Sequence, residues 1–313
     1  MAPWLDAFVP AFGLLLLGAA LKRRLLREDA VWAGMERLIF WVLLPSLIVT
    51  ALSAVDLAAL PLGRMALSIW GALAVGTVAS VALSRVLGLR HASMTSVLQG
   101  GIRFNNLMGF AICGALFGAP GLALAAVSTG LIVPVVQTVT VLAFLLGRGG
   151  AGARPRPLAL LRQILTNPLM LACLIGFGLA ALGGLPPGLS PLVAALGRAS
   201  VALGLLCVGA ALSLGTLGAH AGTQALTGTL KLLVMPALTW AFAALLRLPP
   251  LETTVAVTFM ALPTAATSYV MARAMGGDAA LMAAITTTEH IASVLTLPLW
   301  LALLAAFATA AAP

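Results

Sequence analysis

Charge is what this chain has least of: Asp, Glu, Lys and Arg together make up 8% of its 313 residues, where a soluble domain carries about 25%. That scarcity excludes an ordinary soluble globular protein. Acidic residues are rarer than basic ones, 8 against 17, and they include no paired aspartates and no HExxH spacing. Hydrolytic metal chemistry therefore has no ligand set, and no metal or cofactor is expected. Cysteine is limited to Cys113, Cys173 and Cys207, each inside an apolar run and none in a CxxC spacing, so these read as small packing residues.

Apolar residues, by contrast, make up 62% of the chain. A span and its connection use roughly 30 residues, because about 20 apolar residues cross the hydrocarbon core, so the length accommodates about ten spans and no large soluble domain. Apolar runs bounded by charge, Gly or Pro place spans near 4–21, 32–53, 62–86, 93–117, 121–146, 163–183, 191–214, 219–246, 251–274 and 278–306. The expected fold is an all-α polytopic membrane protein.

The net charge of +9 would by itself suit nucleic acid or an anionic surface, but position decides otherwise. Lys22, Arg23, Arg24 and Arg27, then Arg85 and Arg90, then Arg148, Arg154, Arg156 and Arg162, and finally Arg273 all fall in odd-numbered connections. Even-numbered connections hold little beyond Arg64 and Arg247, with Arg198 near the start of the seventh span. The positive-inside rule puts the odd connections in the cytoplasm and both termini outside, and no nucleic-acid partner is expected. The first apolar run is followed, not preceded, by its basic cluster, which marks an uncleaved first span. Of the 17 basic residues only Lys22 and Lys231 are lysines, which suggests a GC-rich bacterial source and an inner-membrane address. Lys231, in the eighth span, is expected to snorkel to the cytoplasmic interface.

The stretch from Gly147 to Arg162, rich in Gly, Pro and Arg, falls near mid-chain and reads as a linker between residues 1–150 and 151–313. Five spans in each half force opposite orientations, the inverted-repeat plan of many secondary transporters. Laying Gly121–Thr129 over Ala279–Thr287 also sets Gly118 on Gly276, Asn105 on Pro263 and Asn106 on Thr264.

Spans four and nine are polar at membrane depth. QGGIRFNNLMGFAICG carries Arg103, Asn105 and Asn106, and TFMALPTAATSYVMAR carries Pro263, Thr264, Thr267 and Ser268. Proline removes a backbone donor, so the ninth helix is expected to break at Pro263. Two broken helices in matching positions point to a midplane binding site, where half-helix N-termini and Asn side chains can hold an anion. Arg103 is placed either to grip a carboxylate or to snorkel, and the Asn pair either to touch substrate or to satisfy the broken backbone. Gln137 in the fifth span is a further candidate for lining the cavity. The tenth span holds Thr286, Thr287, Thr288, Glu289 and His290, and an intramembrane carboxylate beside an imidazole points to proton handling. Adjacent residues lie about 100° apart on a helix, so the pair cannot share one face. Either both handle protons, or one serves a helix interface. Pro45, Pro134, Pro236 and Pro298 are expected to kink their spans, and the Gly and Ala run VALGLLCVGAALSLG of the seventh suits close contact, internal or across a dimer.

LIFWVLLPSLIV, GGIRFNNLMGFAICGALFG, TNPLMLACLIGFGLA and ALPTAATSYVMARAMGGDAALMAAITT running into SVLTLPLW together resemble the auxin efflux carrier family, in its bacterial malonate-transporter-like branch. The resemblance implies ten transmembrane helices in two inverted five-helix repeats with broken, crossing helices 4 and 9, the elevator fold shared with bile-acid symporters. It implies a scaffold of helices 1, 2, 6 and 7 that forms a homodimer in the lipid, and a transport domain of helices 3–5 and 8–10. It further implies an organic carboxylate anion as cargo, with Asn105, Asn106 and Pro263 at the crossover. Glu289 and His290 depart from the family pattern, and no acid lies inside the third span for a plant-type support site. Alternatives are a sodium- or proton-coupled carrier of the bile-acid-symporter type and, further off, an intramembrane enzyme using Glu289 and His290.

Overall fold

The computed structural model describes residues 2–55, 60–147, 162, 166–213, 215, 218 and 220–310. The described residues are helical or irregular, without strand. The helices are α1 (Ala2–Arg24), α2 (Asp29–Ser53), α3 (Leu62–Val86), α4 (His91–Ile102), α5 (Asn106–Gly147), α6 (Pro168–Ala181), α7 (Leu189–Ala210), α8 (Ala221–Leu245), α9 (Pro250–Ala261), α10 (Thr267–Met275) and α11 (Ala279–Ala310). Seven stretches among the described residues are long and apolar enough to cross a membrane. One of them, His91–Gly147, takes in the expected fourth and fifth spans, while the sixth and ninth appear as shorter helices. Leu16, Trp41, Val78 and Leu295 are each more than half exposed, a placement for apolar groups that lipid satisfies and water does not. The chain is a polytopic membrane protein. The linker expected from Gly147 to Arg162 lies outside the described residues apart from its two ends.

Proline shapes these helices less uniformly than expected. Pro45 and Pro236 each follow a π-helical turn, Ile39–Leu43 in α2 and Leu230–Val234 in α8. A proline leaves the carbonyl one turn back without its donor, and a widened turn absorbs the mismatch. Pro134 is carried inside α5, whose backbone departs from helical dihedrals at Gly118 instead (φ 60, ψ −142). Gly276, which the sequence sets over Gly118, also has positive φ and ends α10 in the left-handed conformation, which glycine adopts without steric cost.

The contacts divide the chain into two compact units. The first comprises residues 1–61, 106–133 and 162–211. In it α1 packs along α7, and the C-terminal half of α2 packs on α6 and α7. Glycines let the backbones approach: a Cβ on Gly18 would strike the Leu206 carbonyl, one on Gly209 the Leu15 carbonyl, and one on Gly197 the Leu47 backbone. The Gly run of α7 is thus used for internal packing. Asn167 caps α6, its Oδ1 accepting the Leu169 N–H at 2.9 Å.

The second unit comprises residues 62–105, 134–161 and 212–313. α3 lies against α4 and α8, and α11 lies against α4, α8, α9 and α10 over a core that includes Val97, Ala272, Leu281, Met282 and Ile285. Asp278 secures the start of α11. Its Oδ1 accepts the Leu281 N–H (3.0 Å), its Oδ2 the Ser93 hydroxyl (2.9 Å) and its carbonyl the Ser96 hydroxyl (2.8 Å). Asp278→Ala removes both a helix cap and a tie to α4, and is expected to cost about 1–2 kcal/mol. A lowered Tm of the purified protein, with Asp278→Asn retaining most of it, checks this; an unchanged Tm refutes it.

Candidate functional site

Both expected helix breaks are present, and within the second unit their backbones meet. α4 stops at Ile102 after Gly100 and Gly101, and Arg103 turns extended (φ −78, ψ 165). α9 stops at Ala261, and Leu262 is extended (φ −64, ψ 143), as the ring of a following proline demands. The Asn105 N–H donates to the Pro263 carbonyl at 2.7 Å. The two residues that the sequence sets over one another are therefore bonded directly.

One turn of α11 secures both arms of this junction. Glu289 Oε2 accepts the Thr264 N–H at 2.8 Å, and His290 Nε2 lies 3.0 Å from the Asn105 side-chain amide nitrogen. His290 Nδ1 lies 2.8 Å from the Thr286 carbonyl, which can only accept, so Nδ1 carries the proton and Nε2 accepts from Asn105. Thr288 donates to Gln224 (2.6 Å) and Thr287 accepts the Ser213 N–H (3.0 Å). Four consecutive side chains thus reach four different partners, because each step turns the helix by about 100°. That rotation, which argues against a joint face for Glu289 and His290, is what lets each hold a different arm.

The remaining expected residues separate. Thr264 is fully buried, its hydroxyl donating to the Gln99 carbonyl at 3.2 Å. Arg103 donates to Thr267 Oγ1 at 3.0 Å and contacts Met271 Sδ at 3.2 Å, so it is held by α10, and its Nε is buried without a partner. Asn106, in the first unit, opens α5; its Oδ1 accepts the Thr129 hydroxyl at 2.6 Å, and its Nδ2 is buried and unpartnered. Gln137 is half-buried on α5 and takes no part in the bonds around the junction. A pocket of 170 Å³ lined by Trp240, Leu248, Thr253, Thr254, Leu304 and Phe307 lies elsewhere in the second unit.

Two residues near the junction stand outside the sequence expectation. Lys231 does not snorkel. It is fully buried, in the π-helical turn of α8, with Nζ unbonded. A lysine in an apolar run reaches the interface only if its own face is open, and this turn packs against α3, α4, α9 and α11. Gln99 has both amide atoms buried and unpartnered; its place beside a glycine pair inside an apolar run was the available signal.

The family model for membrane transport proteins, that of the auxin efflux carriers, matches residues 5–301. The chain belongs to this family. No curated protein matches it. As a member of the auxin efflux carrier family it is a membrane transporter, and its family is not one of enzymes. The polar junction inside a transporter of this family is accordingly a candidate place for cargo.

Proposed function

We propose that the protein is a secondary carrier for a small organic carboxylate anion, bound at the junction of the two helix breaks and moved by alternating access of the elevator type. The observation that carries this reading is the Asn105–Pro263 backbone bond, which holds two interrupted helices together at membrane depth. Irregular backbone there is tolerated where it lines a cavity. The N-terminus of α10 at Thr267 supplies a positive dipole end, and Arg103 Nε is a donor not yet used. Thr264 and Thr267 border the junction. Malonate is the first cargo to try, given the motifs shared with the malonate-transporter-like branch.

The division into units supports an elevator. One unit collects α1, α2, α6 and α7, the proposed dimerising scaffold, together with residues 106–133 of α5, and the other collects α3, α4, α8–α11 and the rest of α5. The Arg-rich odd connections support an inner-membrane orientation with both termini periplasmic.

Asn105→Ala and Asn106→Ala are expected to reach the membrane yet lose exchange of radiolabelled malonate across proteoliposomes. Each removes a hydrogen bond to a charged group, about 1.5–3 kcal/mol, or roughly a ten- to hundredfold drop. Wild-type rates in both variants would overturn the site. If malonate is not exchanged by the wild-type protein, a thermal-shift screen of dicarboxylates and aromatic carboxylates identifies the anion that is.

A further inference from the structure

Lys231 and Glu289 form a second polar centre behind the junction, all of it inside the second unit. Both side chains are 0% exposed. Glu289 spends Oε2 on the Thr264 N–H, while its Oε1 and the Lys231 Nζ have no hydrogen bond. Gly228, which packs against Glu289, stands one turn before Lys231 on α8, yet the two charged groups do not close to an ion pair within 4.0 Å; the ion pair among the described residues is Lys22 with Asp29. Glycines make room for the carboxylate: a Cβ on Gly100 would lie 3.3 Å from Oε1, and one on Gly228 would lie 3.9 Å from Cγ. The titratable residues on the helices packed against α11 are His91, Lys231, Glu252, Tyr269 and Arg273, and of these Lys231 lies one turn from Gly228, the α8 residue set against Glu289. His290 beside it has both ring nitrogens engaged, by Thr286 and Asn105, so a second ring proton would set a donor against the Asn105 amide.

Two buried opposite charges held apart are costly, and the cost is removed by sharing protons rather than by contact. With one mobile proton between them the pair is ammonium plus carboxylate, or amine plus carboxylic acid, and its net charge is zero in either form. A second proton, placed on the unpartnered Oε1, gives ammonium plus carboxylic acid, with a net charge of +1. We propose that the Lys231–Glu289 pair is the carrier's proton-exchanging centre, taking up one proton from the aqueous phase for each cargo anion bound at the junction and returning it on release. The loaded second unit then crosses the membrane with one negative charge fewer than its cargo brings, which lowers the barrier to its movement. Thr264 links the two places. Its N–H bonds more strongly to a carboxylate than to a carboxylic acid, so protonation of Glu289 loosens the ninth-helix arm when cargo arrives. Glu289 and Lys231 touch no cargo in this scheme. The proposal rests on the carboxylate-carrier reading above and assigns coupling to a lysine outside the cargo site.

Two measurements on the full-length protein in proteoliposomes test it, and only the second depends on the cargo. Infrared difference spectra between acid and alkaline buffer are expected to show the carbonyl stretch of a buried protonated carboxyl, absent in E289Q and displaced in K231M. Downhill malonate efflux is expected to change the pH sensed by an entrapped dye, and K231M/E289Q, which leaves no lone buried charge if either single variant folds poorly, is expected to lose that proton movement. A carboxyl band indifferent to E289Q, or proton movement surviving in K231M/E289Q, overturns the proposal. A Glu289 band with no malonate exchange in the wild-type protein instead overturns the cargo reading and supports the proton centre.

Discussion

Replacing Gly209 by valine is expected to leave almost no folded protein, seen as loss of the monodisperse peak on size exclusion and, in what survives, a Tm many degrees lower. Gly209 on α7 sits against the Leu15 carbonyl of α1, and Gly18 on α1 sits against the Leu206 carbonyl of α7. The contact is reciprocal and made by backbone on both sides, so a new methyl group cannot be accommodated by a neighbouring side chain changing rotamer. The two helices must separate along their common length. Overpacking of this kind costs about 3 kcal/mol or more, and in lipid close backbone approach is a principal source of helix association. Gly13→Val serves as the control. It lies on α1, the helix that Gly209 packs against, with nothing within 4 Å of where a Cβ would stand, and is expected to behave as wild type. Equal yields of the two variants would refute the account.

The second large effect concerns His290 and Asn105. His290→Leu leaves the Asn105 amide N–H at a buried site without its acceptor, and Asn105→Leu strands the imidazole Nε2. Each is expected to cost about 1–3 kcal/mol. The double variant is expected to cost less than the sum, because removing both partners leaves no orphan; coupling of about 0.5–3 kcal/mol is usual for groups in direct contact. Thermal unfolding of the four proteins measures the coupling, and strict additivity would show that the 3.0 Å contact carries no energy.

The helix breaks were legible in the sequence because Pro and Gly act through local sterics. Pro263 lacks a donor wherever it sits, and Gly118 and Gly276 permit positive φ regardless of their neighbours. The match between the two halves set Asn105 over Pro263 as equivalent positions, but it did not reveal that the two would be bonded to each other. The burial of Lys231 was not legible, because whether a lysine reaches the interface depends on which helix covers its face, a tertiary fact. Nor was the widened turn before Pro45 and Pro236, whereas Pro134 and Pro298 lie inside α5 and α11 with no such turn described. The placement of Glu289 and His290 was half legible. Their angular separation followed from helix geometry, but not the fact that a different strand of the junction waits on each side.

Residues 287–290 engage Ser213, Gln224, Thr264 and Asn105 in turn, while Asp278 anchors the start of the same helix to α4. α11 therefore works as a keyed shaft, whose angular setting is shared by every lock around it. Inserting one alanine between Asp278 and Thr286 would leave the hydropathy of the span unchanged and add about 1.5 Å of length, but would turn the four keys by about 100° at once. Point changes here release one partner at a time, whereas a single inserted residue releases all four. The length of α11 between its cap and the junction is thus constrained to the residue, in a segment whose composition alone would tolerate almost any apolar extension.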